Sequence, residues 1–489
     1  MLFNSYTFIL VFLPLVAAGY FLLHRYVSAK WAFLFLLAAS FGFMSFWNLH
    51  FSLVLLASVL INFLYGTFLS AAVQRNPKSK RIVFASAIAF NILYLGFFKY
   101  SNFFIENINA VFATEMSRLD LLLPLGISFY TFMQIAWLTD IYRRGGYRYD
   151  FFNYCLYVTF FPYVISGPIA YHSEIIPQFK SEKVGIFNLS NVCRGLFIFS
   201  MGLFKKAAIA DTLAVIADGG FAATGNLTFT EAWLTSLSYT MQLYFDFSGY
   251  TDMAIGIALI FNIELPANFN SPYKSLDIRE FWRRWHITLS RFLRDYIYIP
   301  LGGNRAGEMR LYVNLLLTFL IGGLWHGAAW TFVFWGFLHG AALCLHRLWM
   351  KTGLSLPKIP AWLITFNFLN AAWVFFRASS IGDALRILKG MAGLNGVLVS
   401  PNLAGSAFWQ KMTALGVQFG HWRAHLPEVE PMEYFLCILL IPVVLFLKNS
   451  NYYLGQFVPT WKNATWTALM LTLGLLLLNR TSSFLYFNF

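Results

Sequence analysis

The sequence is poor in charged residues and in cysteine. Only 11% of its 489 residues are Asp, Glu, Lys or Arg, whereas 58% are hydrophobic, and the mean hydropathy is +0.61. Soluble domains carry about 25% charged residues, so this composition excludes an ordinary soluble protein. The four cysteines are scattered and form neither a zinc-binding spacing nor a disulfide framework. We therefore expect an integral membrane protein with no metal site.

Internal repeats and an independent soluble domain are also lacking. Many transporters consist of two related halves, so the lack of a repeat argues against that class. Positive charge is in excess, with 35 Lys and Arg against 21 Asp and Glu and a net charge of +14. In a membrane protein such an excess marks cytoplasmic loops, here 25–30, 75–81 and 143–148. We expect one polytopic membrane domain, 1–489, and no nucleic-acid partner.

Apolar runs near the length of a membrane-spanning helix recur along the chain. Examples are 6–23, 31–47, 51–69, 83–98, 121–138, 432–447 and 466–478. Membrane-spanning strands would show short alternating segments instead. Since a helix needs about 20 apolar residues to cross a bilayer, the sequence predicts an all-α protein with about 10 to 14 membrane-embedded helices.

A polar segment, 274–310, carries eight Lys and Arg against four Asp and Glu. One set of its residues recurs at helical spacing: Trp282, Trp285, His286, Leu289, Phe292, Leu293 and Tyr296. The opposite side of the same helix carries Arg283, Arg284, Ser290, Arg291 and Arg294. The pattern predicts an amphipathic helix at the cytoplasmic surface. It either attracts anionic lipid or binds an anionic substrate such as a phosphorylated cofactor, and spacing alone leaves both open.

A charge-free stretch of 36 residues separates Arg310 from Arg347. A single helix of that length would extend about 54 Å, well beyond a hydrocarbon core of about 30 Å. A break is therefore expected in the glycine-rich sequence IGGLWHGAAW, 321–330. His326 would then lie at membrane depth, where an ionisable side chain is costly and usually functional.

Two interpretations of His326 stay open from the residues alone. A neutral, buried imidazole can accept a proton and act as a general base. Alternatively, the ring hydrogen-bonds a neighbouring helix across a glycine-lined interface. His286, on the apolar side of the predicted helix, is by spacing more typical of a core residue than of a catalyst.

Asp246 and Asp252 are six residues apart in apolar company. That spacing does not place two carboxylates on one helical face, so a paired acid/base site is not favoured. We expect structural polar roles, such as a helix cap, a hydrogen-bonded turn or an ion pair with a nearby arginine.

Four stretches together resemble the membrane-bound O-acyltransferase (MBOAT) family. They are YFDFSGYTDMAIG at 244–256, FWRRWHITLSRFLRDYIYIPLGGNR at 281–305, GGLWHGAAWTFVFWGFLHG at 322–340 and FLYFNF at 484–489. The opening, MLFNSYTFILVFLPL, is similar to the bacterial branch that includes the membrane subunit of alginate O-acetylation. The resemblance extends over nearly the whole chain.

The resemblance implies a helical fold with a central tunnel through a thinned membrane region. It places a motif-bearing catalytic core at about 121–347 and C-terminal spans at about 361–489, and it makes His326 and His286 the catalytic residues. Donor-binding or tunnel-lining residues are expected to be Trp282, Arg283, Arg284, Trp285, Arg291 and Trp325.

The family resemblance also implies an acyl thioester donor on the cytoplasmic side, here acetyl-CoA, with no permanently bound cofactor. Because a thioester is already activated, the protein needs to bind it, position an acceptor hydroxyl and remove the hydroxyl proton. His326 is the expected base. His286 would stabilise the oxyanion, orient the donor or assist proton transfer, and an acyl-imidazole on His326 is also chemically feasible.

The acceptor stays open at this stage. It is either a serine of a secreted or periplasmic acetyltransferase partner or the exported polysaccharide itself, of alginate, cellulose or peptidoglycan type. Because the chain lacks an esterase-like domain, we expect a separate partner, the polysaccharide-secretion machinery and membrane lipid as partners, in the bacterial cytoplasmic (inner) membrane. The alternatives are D-alanyl transfer to teichoic acid from a carrier-protein thioester, a lipid-linked glycan transporter, and a scaffolding subunit.

Overall fold

The structure, a computed structural model, describes residues 1–75, 77–305, 307–421, 423, 425, 426, 431–478 and 485. Most of them are helical, and one main hydrophobic core extends from Met1 to Leu485. The predicted all-α fold is confirmed, apart from one pair of very short strands.

Five helices form the N-terminal part of the chain. They are α1 (Leu13–Tyr26), which continues a π-helical segment (Thr7–Phe12), α2 (Ala29–Ser45), α3 (Leu49–Arg75), α4 (Pro77–Phe112) and α5 (Ile127–Arg144). Ser28 caps α2 by accepting a hydrogen bond from the Trp31 amide. Asn91 of α4 donates to Asn62 of α3 over 2.6 Å, and such bonds hold helices together in lipid. With 36 residues, α4 is about 54 Å long.

The central part is built around one long, buried helix. Its helices are α6 (Phe151–Thr159), α7 (His172–Phe179), α8 (Leu189–Phe204), α9 (Asp211–Ala222) and α10 (Phe229–Ile260), and a π-helical segment (Lys205–Ala210) joins α8 to α9. A capping box of Thr228 and Glu231 starts α10, which is buried over nearly all of its 32 residues. A Cβ added at Gly202 of α8 would lie 2.5 Å from the Gly249 carbonyl oxygen, so glycine lets α8 and α10 touch.

The segment 281–296, predicted as one amphipathic helix, is broken. It forms α11 (Ile278–Arg284), α12 (Ile287–Leu293) and a π-helical segment (Arg294–Tyr298). Trp285 has an extended backbone and His286 has a φ of +41°, so the helix stops at both. The prediction of a continuous helix was wrong, because two non-helical residues that fall in phase with the apolar pattern leave the spacing unchanged.

An antiparallel helix pair, α13 (Glu308–His326) and α14 (Trp330–Lys351), follows. The predicted break in the charge-free stretch is confirmed and falls at 327–329. Gly322 and Gly323 lie within α13 and not in the break. Lys351 Nζ lies 2.5 Å from Glu308 Oε2, so the two charged ends of the pair are on the same side.

The C-terminal part contains shorter helices and the pair of strands. In chain order they are α15 (Lys358–Arg377), α16 (Ile381–Met391), β1 (Val397–Val399), α17 (Ala407–Met412), β2 (Val417–Phe419), α18 (Pro431–Phe446), α19 (Ser450–Gly455) and α20 (Trp461–Leu476). β1 and β2 are parallel, with Val397 opposite Val417. The ending 484–489 lies outside the described residues except for Leu485, whose amide donates to Asp246 Oδ2 over 3.0 Å.

Some helices are by themselves long and apolar enough to cross a membrane. In the described residues they are Thr7–Tyr26, Leu49–Ala72, Pro77–Phe112 and Lys358–Arg377, and shorter apolar helices are Ala29–Ser45 and Tyr434–Phe446. The apolar run 121–138 becomes helical only at Ile127, because Gly126 before it has a φ of +73°. The total of about 10 to 14 embedded helices and the central tunnel stay predictions.

Candidate active site

His326 is the last residue of α13 and is 3% exposed. Its ring centroid lies 4.9 Å from that of Trp325, 5.0 Å from Trp335 and 5.1 Å from Phe376. The backbone then becomes extended at Gly327, with a φ of −161°. The imidazole therefore lies at a helix end inside an aromatic enclosure that keeps bulk water away.

The tight contact between α13 and α14 fixes the position of His326 relative to α14. A Cβ added at Gly323 would lie 2.3 Å from the Phe332 carbonyl oxygen, so only glycine permits this approach. His326 is 18 residues beyond Glu308, which places it about 27 Å along the helix, close to the thickness of a bilayer core. The base candidate is thus far from the charged ends of its own helix pair.

His286 lies opposite, with its ring centroid 6.4 Å from that of His326 and none of its surface exposed. Its Nδ1 is 3.1 Å from Asn268 Oδ1. The Thr288 backbone amide, which can only donate, is 3.2 Å from the same Oδ1, so that atom is the amide oxygen and not the nitrogen. The hydrogen of a neutral His286 therefore lies on Nδ1 and its lone pair on Nε2.

An extended segment, 268–270, stabilises the break at His286. The Asn270 amide donates to Arg284 O and the Ile287 amide donates to Asn268 O, both over 2.9 Å. These bonds provide partners for backbone groups that have no helical hydrogen bond at the break. A left-handed backbone at a residue with a side chain costs about 1–3 kcal/mol and is typical of functional sites. His286 is thus held in a strained conformation by its surroundings.

Of the three arginines predicted to bind the donor, two have carboxylate partners. Arg284 donates to Glu280 over 3.0 and 2.8 Å, and Arg291 donates to Glu174 over 2.5 and 2.9 Å. Arg283 is exposed and lines a pocket. Arg283 therefore lines the pocket, whereas Arg284 and Arg291 are held by carboxylates.

This pocket has a volume of about 240 Å³ and lies between α11, α12 and α13. Arg279, Arg283 and Arg294 contribute positive charge, while Trp282 and Phe319 contribute apolar walls. The Trp282 indole nitrogen donates to His339 Nδ1 over 3.2 Å. A ligand with anionic and apolar parts fits this lining, and Trp282 connects it to the aromatic enclosure.

The remaining predicted tryptophans line the interior. The Trp325 ring lies beside both histidines, 5.9 Å from His286 and 4.9 Å from His326. Trp285 is 1% exposed and packs on the ring of Phe281 at 5.6 Å. Trp325 is therefore placed beside His326, and Trp285 belongs to the packing around Phe281.

Two buried residues of the enclosure were not predicted, Trp335 and His339. The Trp335 ring lies 5.0 Å from His326 and 4.6 Å from His339. In the described part of the chain, the indole nitrogens of Trp325 and Trp335 have no acceptor. Both are N–H donors close to His326. The GLWHG motif alone does not predict that these indole groups lie beside the histidine. The sequence signal was the recurrence of Trp335 and His339 at helical spacing.

Lys99 and Tyr100 of α4 were also missed. Lys99 Nζ is 2.5 Å from Trp325 O and 3.1 Å from His326 O, and the Tyr100 hydroxyl is 2.5 Å from Leu324 O. The sequence signal was a lysine directly after an apolar run that the helix continues through. A charged residue inside a long membrane helix usually has a specific partner.

Asp246 and Asp252 both lie on α10 and form ion pairs with lysines. Lys206 Nζ is 2.7 Å from Asp246 Oδ1, and Lys205 Nζ is 2.6 Å from Asp252 Oδ2. The ion pairs were predicted, but the expectation of arginine partners was wrong, because the π-helical segment after α8 turns two consecutive lysines toward α10.

A helical membrane protein with two buried histidines at helix ends, beside an arginine-lined pocket, has the parts of a membrane-embedded group-transfer enzyme. The sequence profile of the membrane-bound O-acyltransferase family matches residues 127–381. The chain belongs to this family.

Three relatives refine the comparison. The chain is 45% identical to a peptidoglycan O-acetyltransferase of Helicobacter pylori, over 100% of this chain and 98% of the relative. It is 40% identical to a probable alginate O-acetylase of Azotobacter vinelandii, over 80% and 78%. A teichoic acid D-alanyltransferase of Bacillus subtilis is 27% identical over 52% and 68%. The predictions of the family, of an acetyl-transferring enzyme and of a multi-pass protein of the bacterial inner membrane are confirmed.

Proposed function

We propose that the protein takes an acetyl group from cytoplasmic acetyl-CoA and passes it outward for O-acetylation of peptidoglycan. The position of His326 carries this proposal: a buried imidazole at a helix end, far from the charged ends of its helix pair. Peptidoglycan is favoured over alginate because the peptidoglycan-acetylating relative is more similar and is matched over its full length.

The arginine-lined pocket is the proposed entry for the donor. Arg279 and Arg283 would bind the phosphates of CoA, since guanidinium groups form charge-assisted hydrogen bonds with phosphate oxygens. Arg294 also lines the pocket, but it is paired with Asp295 over 2.7 and 3.2 Å. The apolar Trp282 and Phe319 suit the pantetheine arm. The thioester would then pass Trp282 and reach the enclosure around His326.

At His326 the proposed reaction is direct acyl transfer. The imidazole removes the proton of the acceptor hydroxyl, the oxygen attacks the thioester carbonyl, the carbon–sulfur bond breaks, and the proton passes to the CoA thiolate. The indole N–H groups of Trp325 and Trp335 are the proposed donors to the carbonyl oxygen as its charge develops. The enclosure also protects the thioester from hydrolysis.

The tautomer of His286 narrows its proposed role. Because Nδ1–H donates to Asn268, a neutral His286 offers an acceptor at Nε2 and not a donor. We assign it to orienting the acceptor or relaying its proton, and not to binding the oxyanion. An acyl-imidazole on His326 is the alternative route.

The acceptor on the outer side is proposed to be a serine of a separate periplasmic acetyltransferase, which then modifies the glycan. The polysaccharide-secretion machinery is a further proposed partner. Within the chain we propose one polytopic domain, 1–489, with its catalytic core at about 121–347 and C-terminal spans at about 361–489.

Release of free CoA from acetyl-CoA by the purified protein in lipid tests the proposal. We expect His326→Ala to lower the rate by about 100- to 10,000-fold, the usual range for loss of a general base. His50→Ala, at an exposed histidine outside the site, is the matched control. Equal release by wild type and His326→Ala would contradict the proposal, whereas release only from a D-alanyl carrier thioester would move the donor to the teichoic-acid chemistry.

A further inference from the structure

One face of α4 forms hydrogen bonds with the chain on both sides of the break beside His326. Lys99 donates to Trp325 O over 2.5 Å and to His326 O over 3.1 Å, and Tyr100 donates to Leu324 O over 2.5 Å. Beyond the break, Asn107 Oδ1 accepts from the Trp330 indole over 2.8 Å. Since Tyr100 and Asn107 are seven residues apart, they lie on one helical face.

Lys99 and Tyr100 donate hydrogen bonds to the three carbonyls at the end of α13 that have no donor within the helix. A helix ends with carbonyls that have no intrahelical donor. Here the Gly327 amide donates to Gly323 O, and the chain then becomes extended. The carbonyls of residues 324–326 are therefore the last ones of the helix and lack an intrahelical donor. Each accepts a hydrogen bond from α4. An ammonium group at a helix C-terminus is also attracted by the helix dipole.

Lys99 is fully used by this arrangement. An ammonium group carries three N–H donors, and Lys99 Nζ has a third oxygen, Ser128 Oγ of α5, at 3.4 Å. The fully buried residues of α4 are Ala87, Asn91 and Ile105, whereas Lys99 and Tyr100 are half-buried. The hydrogen bonds of Lys99 and Tyr100 at the break are therefore a main polar attachment of α4 to the candidate active site.

We propose that Lys99 and Tyr100 are positioning residues that hold the last turn of α13 and thereby aim the His326 imidazole. The inference rests on the proposed role of His326 as the base. The direction of a side chain is set by the backbone that carries it. Without the hydrogen bonds from Lys99 and Tyr100, the last turn of α13 frays and the imidazole leaves the geometry required for proton removal.

Steady-state CoA release by Lys99→Met, which keeps the apolar stem, is the main test. We expect kcat to fall about 100-fold with KM for acetyl-CoA within about twofold, because a misplaced catalytic group costs rate and not donor binding. Tyr100→Phe should lower kcat less, and Lys99→Arg, which keeps the donors, should recover part of it. Ser101→Ala, at the neighbouring residue whose hydroxyl bonds only within α4, is the control and should leave kcat unchanged.

Two further measurements separate positioning from general stability. In a His326→Ala background, adding Lys99→Met should not lower the residual rate further, because both changes act through the same imidazole. Hydrogen exchange of the peptide 321–330 should be faster in Lys99→Met and Tyr100→Phe than in wild type or Ser101→Ala. If Lys99→Met does not fold, Tyr100→Phe, which removes only the hydroxyl donor to Leu324 O, carries the same tests.

The inference is overturned if a folded Lys99→Met keeps kcat within twofold of wild type, if its effect adds fully to that of His326→Ala, or if only KM rises. Such results with a strong His326→Ala defect would leave the proposed function intact. Indifference of CoA release to His326→Ala would instead remove the proposed function itself.

Discussion

Asn268 controls which ring nitrogen of His286 carries the hydrogen. Its amide oxygen accepts from His286 Nδ1, from the Thr288 amide and from the Thr288 hydroxyl, over 3.1, 3.2 and 2.9 Å. One buried oxygen therefore serves three donors. Such an acceptor fixes the ring orientation of this buried histidine in the way that outer partners orient metal-bound histidines.

Replacing Asn268 with Ala should therefore damage both stability and catalysis. We expect the free energy of unfolding to fall by about 1–3 kcal/mol, because buried donors lose their acceptor. We also expect kcat to fall as far as it does in His286→Ala. Thermal unfolding and CoA release measure the two effects, and Asn367→Ala, an exposed amide that bonds within its own helix, is the control. Unchanged kcat in Asn268→Ala would show that the His286 tautomer does not matter.

At the level of residues, the sequence predicts the two histidines that the structure brings to within 6.4 Å of each other, but not the residues that support them. His326 followed from a charge-free stretch that is too long for one helix, and His286 from its motif. The Lys99 contact joins residues 227 positions apart, and the Asn268 contact joins residues 18 positions apart. Neither separation leaves a local periodic signal, because both contacts arise only when helices pack.

The helix pair α13 and α14 is the element that carries His326. Gly322 and Gly323 are neighbours in α13 but face different surroundings. A Cβ at Gly323 would lie 2.3 Å from backbone of Phe332, whereas a Cβ at Gly322 would meet only the end of the Leu293 side chain at 3.2 Å. The two positions therefore form a natural pair for a comparison.

Gly323→Ala should destabilise the protein by about 1–3 kcal/mol, because the helices must separate to make room. Gly322→Ala should be close to neutral, since a side chain can move and alanine favours a helix over glycine by about 1 kcal/mol. Thermal unfolding in one detergent compares the two variants directly. Equal unfolding temperatures would mean that the contact between α13 and α14 is looser than described.

The length of the charge-free stretch predicted the break between α13 and α14 well, whereas helical spacing predicted the region around His286 poorly. The break in 310–347 follows from length alone. The break at Trp285 and His286 does not, because it depends on backbone bonds from Asn268 and Asn270, which lie in a separate segment. A strained residue held by distant partners is the kind of feature that local pattern cannot show.

For the whole molecule, the charge distribution predicts which side faces the cytoplasm. Two segments that the sequence predicts at the cytoplasmic side, 143–148 and 274–310, are in contact, since Arg143 donates to Asp295 O over 3.0 Å. The Lys351–Glu308 pair lies at the charged ends of α13 and α14. In the proposed function, the donor enters through the arginine-lined pocket, the acceptor enters from the other side, and the two meet at His326.

Transfer across a sealed membrane tests this meeting point most directly. Proteoliposomes of one orientation would carry radiolabelled acetyl-CoA only on the side of the arginine-lined pocket, with a peptidoglycan acceptor and the candidate periplasmic acetyltransferase only on the other. We predict O-acetylated acceptor on the far side with wild type and none with His326→Ala at equal protein content. Labelled acceptor that forms equally with His326→Ala, or only when donor and acceptor share one side, would contradict the account.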